Sequence, residues 1–343
     1  MQITRETLTF DTEDQWLALR RQDLTSTEAA ALFGASPYVT EFELHHIKAG
    51  TLEKDFEENQ RMRWGTRLEA AIAAGVAEDY GLIVEPMKVY MRIPELRMGS
   101  SFDYKIVGLV EGFTGDERAR DMFRRLGPGI MEVKNVDGAA FRRNWIDDGD
   151  EIEAPPHIEI QVQHQLEVAD LGWAMISPLV GGNTPKVIIR ERDTELGELL
   201  REKVAHFWAR VDAGIQPEPD YARDADTIAK LHVENDGSEI DLSDNPRVLE
   251  LCREYKDAGA AEKAAAERKR AAKAELMMII EAAKTARAGS FTISAGTRKQ
   301  TFKAYDRAAG ELVRISITPL APKHIEATIP AYRDFRISEK AAA

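Results

Sequence analysis

Apolar and polar residues recur along the chain with two different periods, and together they predict a mixed α/β protein. A period near 3.6 residues, bounded by helix start and stop residues, predicts helices over three segments: 66–80, 157–170 and 194–213. A period of two predicts three short strands within 82–108, a strand at 129–136, and a hairpin of "WAMISPLV" and "PKVIIRER". The charged segment 109–128 predicts a helix or loop inserted between strands.

The composition changes near residues 216–222, where proline and acidic residues are dense. This predicts a domain boundary, with one region at 1–218 and an accessory region at 219–343.

In the accessory region, Asn245 and Pro246 have the pattern of a helix N-terminus. They predict a long helix over about 245–287, rich in Ala, Glu and Lys, which Gly259 is expected to break. A small β segment is predicted over about 290–318, and the tail after Lys340 is expected to be disordered.

Composition and charge exclude several classes of protein. The 343 residues are 43% hydrophobic and 31% charged, and Cys252 is the one cysteine. A disulfide framework, a Cys-rich zinc site and a four-cysteine iron–sulfur cluster are therefore excluded. No run has the length of a membrane span and no signal-peptide pattern opens the chain, so we expect a cytoplasmic protein. The net charge of −13 requires any nucleic-acid contact to be local, through a basic groove or metal ions.

The strand "GIMEVKN" raises the first question of chemistry. Alternation puts Ile130, Glu132 and Lys134 on one face and Met131 and Val133 on the other. An isolated Glu-x-Lys of this kind is most simply a solvent-exposed ion pair.

Two further carboxylates change that interpretation. Glu69 falls on the same helical face as Ile72, Val76 and Tyr80, where a carboxylate costs several kcal/mol unless it is paired or bound to a cation. Asp103 lies in the strand-like "SSFDY", where Asp is disfavoured. A Glu at the stripe edge and a turn-capping Asp are the simpler alternatives.

Taken together, three carboxylates and a lysine predict a site for Mg²⁺, with Mn²⁺ as a possible substitute. A hard cation takes carboxylate oxygens, a backbone carbonyl and waters. Asp103, Glu132, Glu69 and the carbonyl oxygen of Val133 are the candidate ligands, and Lys134 is placed to orient a water or stabilise charge on a phosphate.

Five motifs in order resemble the YqaJ/lambda-exonuclease family of PD-(D/E)xK nucleases, from about Trp16 to Gly214. They are "WLALRRQDLTSTEAAALFGASPY", "WGTRLE", "SSFDY", "MEVKN" and "HIEIQVQHQLEV". The resemblance implies a restriction-endonuclease-like α/β (α+β) core, in which a central mixed sheet is flanked by helices. The accessory region would add a helical arm with a small β segment.

The resemblance also implies a function. This is metal-dependent 5′→3′ digestion of linear double-stranded DNA, leaving 3′ single strands for recombination by strand annealing. Arg20 and Thr27 would hold the 5′ phosphate, with Arg21 as the rival of Arg20. Gln161 would be catalytic, and Gln165 would contact DNA. A single-strand annealing protein is the implied partner, and a homo-oligomeric ring the implied assembly.

Three departures from the family pattern stand out. Tyr104 follows the motif Asp where a small residue is usual, and the stretch before Glu132 is long. Thr27 and Glu28 stand in for the usual Ser-Asp or Ser-Glu pair, while Thr25 and Glu28 have the spacing of a capping box.

Other readings stay open. His164 and the pair His45 and His46 have no partners at metal spacing, and we interpret them as structural or surface residues. The basic "ERKRAAK" would extend a DNA grip or simply form a solvated helix face. An endonuclease of the same superfamily, or a non-catalytic DNA-binding or scaffold protein that kept the fold, are the alternative functions.

Overall fold

The computed structural model describes residues 3–53, 59–149, 151–234, 236–298, 301–306, 311–316 and 332–339. Two units are separable, residues 1–236 and 237–343. Each is described by itself. None of the described helices is long and apolar enough to cross a membrane.

The first unit contains the five sequence motifs described above. Its N-terminal elements are β1 (Glu6–Leu8), α1 (Glu13–Gln22), β2 (Leu24–Thr25), α2 (Ser26–Ala29), a 3₁₀ turn (Ala30–Phe33), α3 (Glu41–Lys48) and α4 (Gln60–Asp79). Then come β3 (Leu82–Pro86), β4 (Tyr90–Ile93), a 3₁₀ turn (Pro94–Leu96), β5 (Met98–Ser101), β6 (Tyr104–Leu109), α5 (Arg118–Leu126), β7 (Gly129–Val136) and α6 (Gly138–Asn144). The unit continues with β8 (Ile146–Asp147), β9 (Ile152–Glu153), α7 (Pro156–Ala169), β10 (Trp173–Val180), β11 (Thr184–Pro185), β12 (Ile188–Glu191), α8 (Thr194–Ala213) and α9 (Ala225–Leu231).

Two larger sheets organise the first unit. The central sheet has the order β11-β10-β7-β6-β3, with β12 also paired to β10, and β7 and β10 run parallel while the other pairs are antiparallel. A smaller sheet has the order β1-β4-β5-β2. The predicted mixed α/β class is confirmed, but segment 82–108 holds four strands rather than three. The run that looks continuous in sequence is split at Phe102 and Asp103 because β5 and β6 belong to different sheets.

Strand β7 separates two apolar cores, as its alternation predicts. Ile130 packs in a core with α7 and α8, while Met131 and Val133 belong to a core with α4 and α5. Helices therefore cover both faces of the central sheet, and the face of Ile130 also carries Glu132. The charged segment 109–128 contributes to the second core through α5.

The predicted helices form for identifiable local reasons. In α8, the Asp193 side chain accepts hydrogen bonds from two backbone N–H groups of the first turn, and Gly214 ends the helix at φ 66°. Helix α7 begins at Pro156, whose fixed φ suits the first helical position. Helix α4 starts earlier than predicted because Asn59 caps it, accepting from the Met62 N–H at 3.1 Å.

The first unit extends beyond the predicted boundary at residue 218, because the segment before α9 is fixed to the core. The hydroxyl of Thr40 donates to the buried carboxylate of Asp224. Arg223 donates through Nη2 to the Ser36 carbonyl oxygen at 2.7 Å. Proline and acidic density marks this segment in the sequence, but these contacts hold it within the first unit.

The second unit contains α10 (Pro246–Ile280), β13 (Thr285–Ala288), β14 (Phe291–Arg298), β15 (Thr301–Asp306), β16 (Glu311–Ser316) and β17 (Tyr332–Glu339). The predicted break at Gly259 is wrong, since α10 runs through it; one exposed glycine costs a helix only about 1 kcal/mol. The helix ends before the predicted 287 because β13 pairs antiparallel with β14. The tail after Lys340 lies outside the described residues.

His164, His45 and His46, interpreted from the sequence as structural or surface residues, are all buried. His164 on α7 is fully buried, and burial lowers its pKa to about 4, from 6.5.

This gives a prediction for the pH dependence of stability. Between pH 6.5 and 4 the unfolded chain binds a proton that folded His164 does not, so the free energy of unfolding falls as pH falls through this window. The full effect is about 3 kcal/mol. Urea unfolding from pH 8 to pH 4 measures it, with His164→Leu as the comparison. A variant as pH-sensitive as the wild type would contradict this assignment.

Candidate active site

The C-terminal half of β7 is paired on one side only, and the predicted acidic residues lie at its unpaired edge. β7 pairs with β10 as far as Val136, but its pairing with β6 ends at Tyr104 opposite Met131. Asp103 directly precedes β6, and its Oδ2 accepts a hydrogen bond from the Val133 N–H at 2.8 Å. The side chain thus takes the place of the next ladder partner. In an extended strand the C=O of a residue points to the same edge as its N–H, so the Val133 carbonyl points towards the Asp103 edge.

Glu132 is buried and held by three donors. Its Oε1 accepts from Lys134 Nζ at 2.6 Å and from Gln161 Nε2 at 2.6 Å, and its Oε2 accepts from Gln165 Nε2 at 2.7 Å. Gln161 and Gln165 are four residues apart on α7, so they lie on one helical face over the sheet. Lys134 also donates to the Gln161 Oε1 at 3.3 Å.

Gln165, the residue expected to contact DNA, lies next to Glu132 at the cavity. The side chain is buried, and its amide also donates to the Ser101 carbonyl oxygen at 3.2 Å. Its donors are therefore directed at the Glu132 carboxylate and at backbone. The geometry is that of a residue that fixes the orientation of Glu132.

The electrostatics of the site are those of crowded carboxylates. Burial raises the pKa of Asp103 well above its ordinary value, and the Glu132 charge raises it further. Burial and the Glu132 charge also raise the pKa of Glu69, against the effect of Lys134. Burial would lower the pKa of Lys134, but the carboxylates of Glu132 and Asp103 raise it overall.

This donor set fits a divalent cation. Three carboxylates, of Asp103, Glu132 and Glu69, act on one another with Lys134 as the cation among them. In the described part of the chain, no three Asp, Glu, His or Cys side chains are close enough to hold a metal by themselves. Mg²⁺ commonly binds through one or two carboxylates with waters and phosphate oxygens, and a backbone carbonyl also suits it.

We expect Asp103→Asn to stabilise the protein in EDTA while abolishing its metal response. The amide oxygen still accepts from Val133, but the charge that faces Glu132 is gone, so the free energy of unfolding rises by about 1–2 kcal/mol. Wild-type protein gains melting temperature on addition of Mg²⁺, and the variant does not.

Thermal unfolding in EDTA and in about 10 mM Mg²⁺, on the order of ten times a millimolar Kd, measures both effects. Asp79→Asn, at the exposed end of α4, is the matched control and leaves both unchanged. A destabilised Asp103→Asn would contradict the account of carboxylate crowding.

The candidate phosphate-binding residues also lie together. Arg20 Nη2 donates to the hydroxyl of Thr27 at 3.0 Å and to that of Thr25 at 3.2 Å, and its guanidinium lies 4.7 Å from the Trp16 ring centroid. Arg21 is exposed and does not line the cavity that Arg20 lines. The geometry therefore favours Arg20 over Arg21.

One cavity of about 790 Å³ joins this group to the carboxylates. Its lining includes Trp16, Arg20, Thr27, Tyr38, Asp103, Glu132, Lys134, Gln161 and Gln165. The candidate phosphate-binding residues and the candidate cation-binding residues thus line the same cavity, as binding of a phosphodiester substrate requires.

Glu28 was expected, with Thr27, to stand in for the family's phosphate-contacting pair. In the structure the Glu28 side chain instead forms a capping box with Thr25, in which the Glu28 Oε2 accepts a hydrogen bond from the Thr25 N–H at 3.0 Å. The same oxygen lies 2.8 Å from Lys48 Nζ, and Lys48 also donates to the carbonyl oxygens of Asp23 and Arg20.

Sequence reasoning missed Lys48 and Tyr38. Lys48 sits on a helix with no pattern that distinguishes it from a surface lysine, and Tyr38 follows a turn proline. Thr25 and Glu28 have the spacing of a capping box, but that pattern does not indicate that Glu28 is buried or that it pairs with a lysine.

A carboxylate before one strand, and Glu-x-Lys on the next, at the edge of a mixed sheet, define the PD-(D/E)xK class of nuclease folds. Residues 15–172 match the family model described as the YqaJ-like viral recombinase domain. The uncharacterized protein YqaJ of Bacillus subtilis (strain 168) is 28% identical over 236 residues, which is 67% of this chain and 67% of that protein.

Two of the solved structures to which the chain is similar are exonucleases. An alkaline exonuclease from Laribacter hongkongensis is 20% identical with a TM-score of 0.45, covering 63% of this chain and all of its own. A phage-related exonuclease from Haemophilus somnus 129PT is 16% identical with a TM-score of 0.38, covering 60% of this chain and 89% of its own.

Proposed function

We propose that this protein is a metal-dependent DNA exonuclease that digests linear double-stranded DNA from its 5′ ends and leaves 3′ single strands. One observation carries the proposal. Arg20 and Thr27 face the same cavity as Asp103, Glu132 and Lys134, so a terminal phosphate and a phosphodiester bond can be held at once. The match of residues 15–172 to the YqaJ-like viral recombinase domain supports a role in recombination.

Each residue of the site has a role that its chemistry allows. Asp103 and Glu132, with the Val133 carbonyl and Glu69, would hold Mg²⁺ or Mn²⁺, which supplies charge neutralisation and a more acidic water when bound. Lys134 carries a firmly held proton, so it acts as a cation that orients the attacking water or stabilises charge on the phosphate. Gln161 and Gln165 keep Glu132 in one rotamer.

The 5′ phosphate would be bound by the guanidinium of Arg20 and the hydroxyls of Thr25 and Thr27. The Arg20 guanidinium offers planar donors to phosphate oxygens, and Thr25 and Thr27 lie within its reach. Stacking over Trp16 holds the guanidinium in place. Because a terminal phosphate is required for this contact, a hydroxyl end should be a poorer substrate.

The test is digestion of end-labelled linear duplex DNA with Mg²⁺, comparing 5′-phosphate with 5′-hydroxyl ends on denaturing gels. We expect short 5′-derived products, a preference for the phosphorylated end, and loss of that preference in Arg20→Ala. Absence of any cleavage with Mg²⁺ or Mn²⁺ would refute the nuclease assignment. Cleavage of closed circular duplex would instead favour the alternative of an endonuclease in the same superfamily.

Assembly and partner are part of the same proposal. The resemblance implies a homo-oligomeric ring around DNA and an annealing protein that receives the 3′ strand. Light scattering of the purified chain measures the oligomeric state. Co-purification with a purified annealing protein, with and without resected DNA, measures binding of the partner. A monomer at working concentration would refute the ring.

A further inference from the structure

Tyr38 is an exposed aromatic side chain at the cavity, and the proposed roles leave it unused. It is 79% exposed yet lines the same cavity as Lys134 and Arg20. Large aromatic side chains are usually mostly buried, so one that remains open beside a binding cavity calls for an explanation. Trp64 and Tyr221 are also exposed, but they do not line this cavity.

The backbone that carries Tyr38 is firmly held. The buried Ser36 hydroxyl accepts hydrogen bonds from the N–H groups of Tyr38 and Val39, each at 3.2 Å. The Ser36 carbonyl oxygen accepts from Arg223 at 2.7 Å. The ring is therefore presented on a fixed turn.

One neighbour braces the ring while most of its surface stays open. The Tyr38 and His157 rings meet edge-on, with centroids 5.6 Å apart and planes at 88°. His157 lies in the first turn of α7, the helix that also carries Gln161. Tyr38 and Lys134 line the same cavity.

A DNA strand anchored in this cavity presents flat apolar bases as well as phosphates. Arg20 would bind phosphate directly and the carboxylates would bind it through a metal ion, but neither provides a flat surface for a base. A rigid aromatic ring stacks on any base, because every base has a π-face, and such contacts do not depend on sequence.

We propose that Tyr38 is a stacking platform for the base of the 5′-terminal nucleotide, the one whose 3′ phosphodiester bond is cut. This inference rests on the proposed exonuclease function and adds a base-binding subsite to it. Tyr38 acts on substrate position, and its contribution appears in KM rather than in the chemical step.

The experiment compares Tyr38→Ala and Tyr38→Phe with Tyr221→Ala, a matched exposed tyrosine of the same unit. Initial rates are measured on 5′-phosphorylated duplex with Mg²⁺. We expect Tyr38→Ala to raise KM by about 5- to 100-fold, the range of one base stack. Tyr38→Phe keeps the ring and stays within about twofold of wild type, as does Tyr221→Ala.

A second substrate separates stacking from a structural effect. Duplex whose 5′-terminal nucleotide is an abasic tetrahydrofuran with its phosphate intact removes the base alone. Wild-type protein should lose about the same factor on this substrate as the Tyr38→Ala variant loses on normal DNA, and Tyr38→Ala should lose little more. If the two losses multiply, or wild type digests both substrates equally, the stacking subsite is refuted. Wild-type protein that cuts neither substrate refutes the proposed function instead.

Discussion

Lys134→Met is expected to reduce the rate of DNA digestion by on the order of 10³-fold while leaving the fold intact. Lys134 donates to the Glu132 Oε1 at 2.6 Å and to the Gln161 Oε1 at 3.3 Å, at the point where the carboxylates meet. Methionine keeps the length and most of the volume but removes the cation. Charge that develops on the phosphate then has no fixed donor beside it.

The fold should survive because Glu132 keeps two amide donors, from Gln161 and Gln165. Lys105→Met on the neighbouring strand β6 is the matched control, since Lys105 does not line the cavity. Initial rates on 5′-phosphorylated duplex, with circular dichroism and thermal unfolding of each variant, provide the measurement. Near-wild-type rates for Lys134→Met would overturn its assignment to the active site.

Lys48→Met is expected to reduce the free energy of unfolding by about 3–5 kcal/mol. The Lys48 side chain is 3% exposed and its Nζ lies 2.8 Å from the Glu28 Oε2. It also donates to the carbonyl oxygens of Asp23 at 2.7 Å and Arg20 at 3.0 Å. Methionine fills the space but leaves the Glu28 carboxylate buried without its cation.

A second substitution separates this charge effect from loss of packing. Glu28→Gln keeps a side-chain acceptor for the capping box of Thr25 and removes the charge, so the double variant should recover part of the loss. Lys203→Met is the control. Lys203 donates to the Leu32 carbonyl oxygen at 3.0 Å and pairs with no carboxylate in the described part of the chain. Urea unfolding measures the free energy of unfolding of the two single variants, the double variant and the control. A double variant less stable than Lys48→Met would count against a buried ion pair.

Predictions from local pattern were closest where one period ran uninterrupted. The strand Gly129–Val136 and the helix Thr194–Ala213 have the predicted bounds. Predictions failed where residues outside the periodic stretch set the end of an element. Asn59 lengthened α4 through a cap, and pairing with β14 ended α10 before residue 287.

The residues of the candidate site divide in the same way. Glu132 and Lys134 are two apart on one strand, so their shared face follows from the period of a strand alone. Asp103 is different, because its role at the β7 edge depends on where β6 stops pairing. The family resemblance singles out Gln165, but only the packing of α7 over the sheet brings its amide to Glu132.

The sequence by itself determined the class of fold, the order of the main helices and strands, and the carboxylates and lysine of the candidate site. These depend on periodicity and residue chemistry, which are local properties. The tertiary structure alone decided that Arg20 rather than Arg21 lines the cavity and that Glu28 pairs with Lys48. It also decided that Tyr38 lines the same cavity while its side chain stays exposed. Those outcomes depend on which segments pack together over long sequence separations, and no local pattern encodes that.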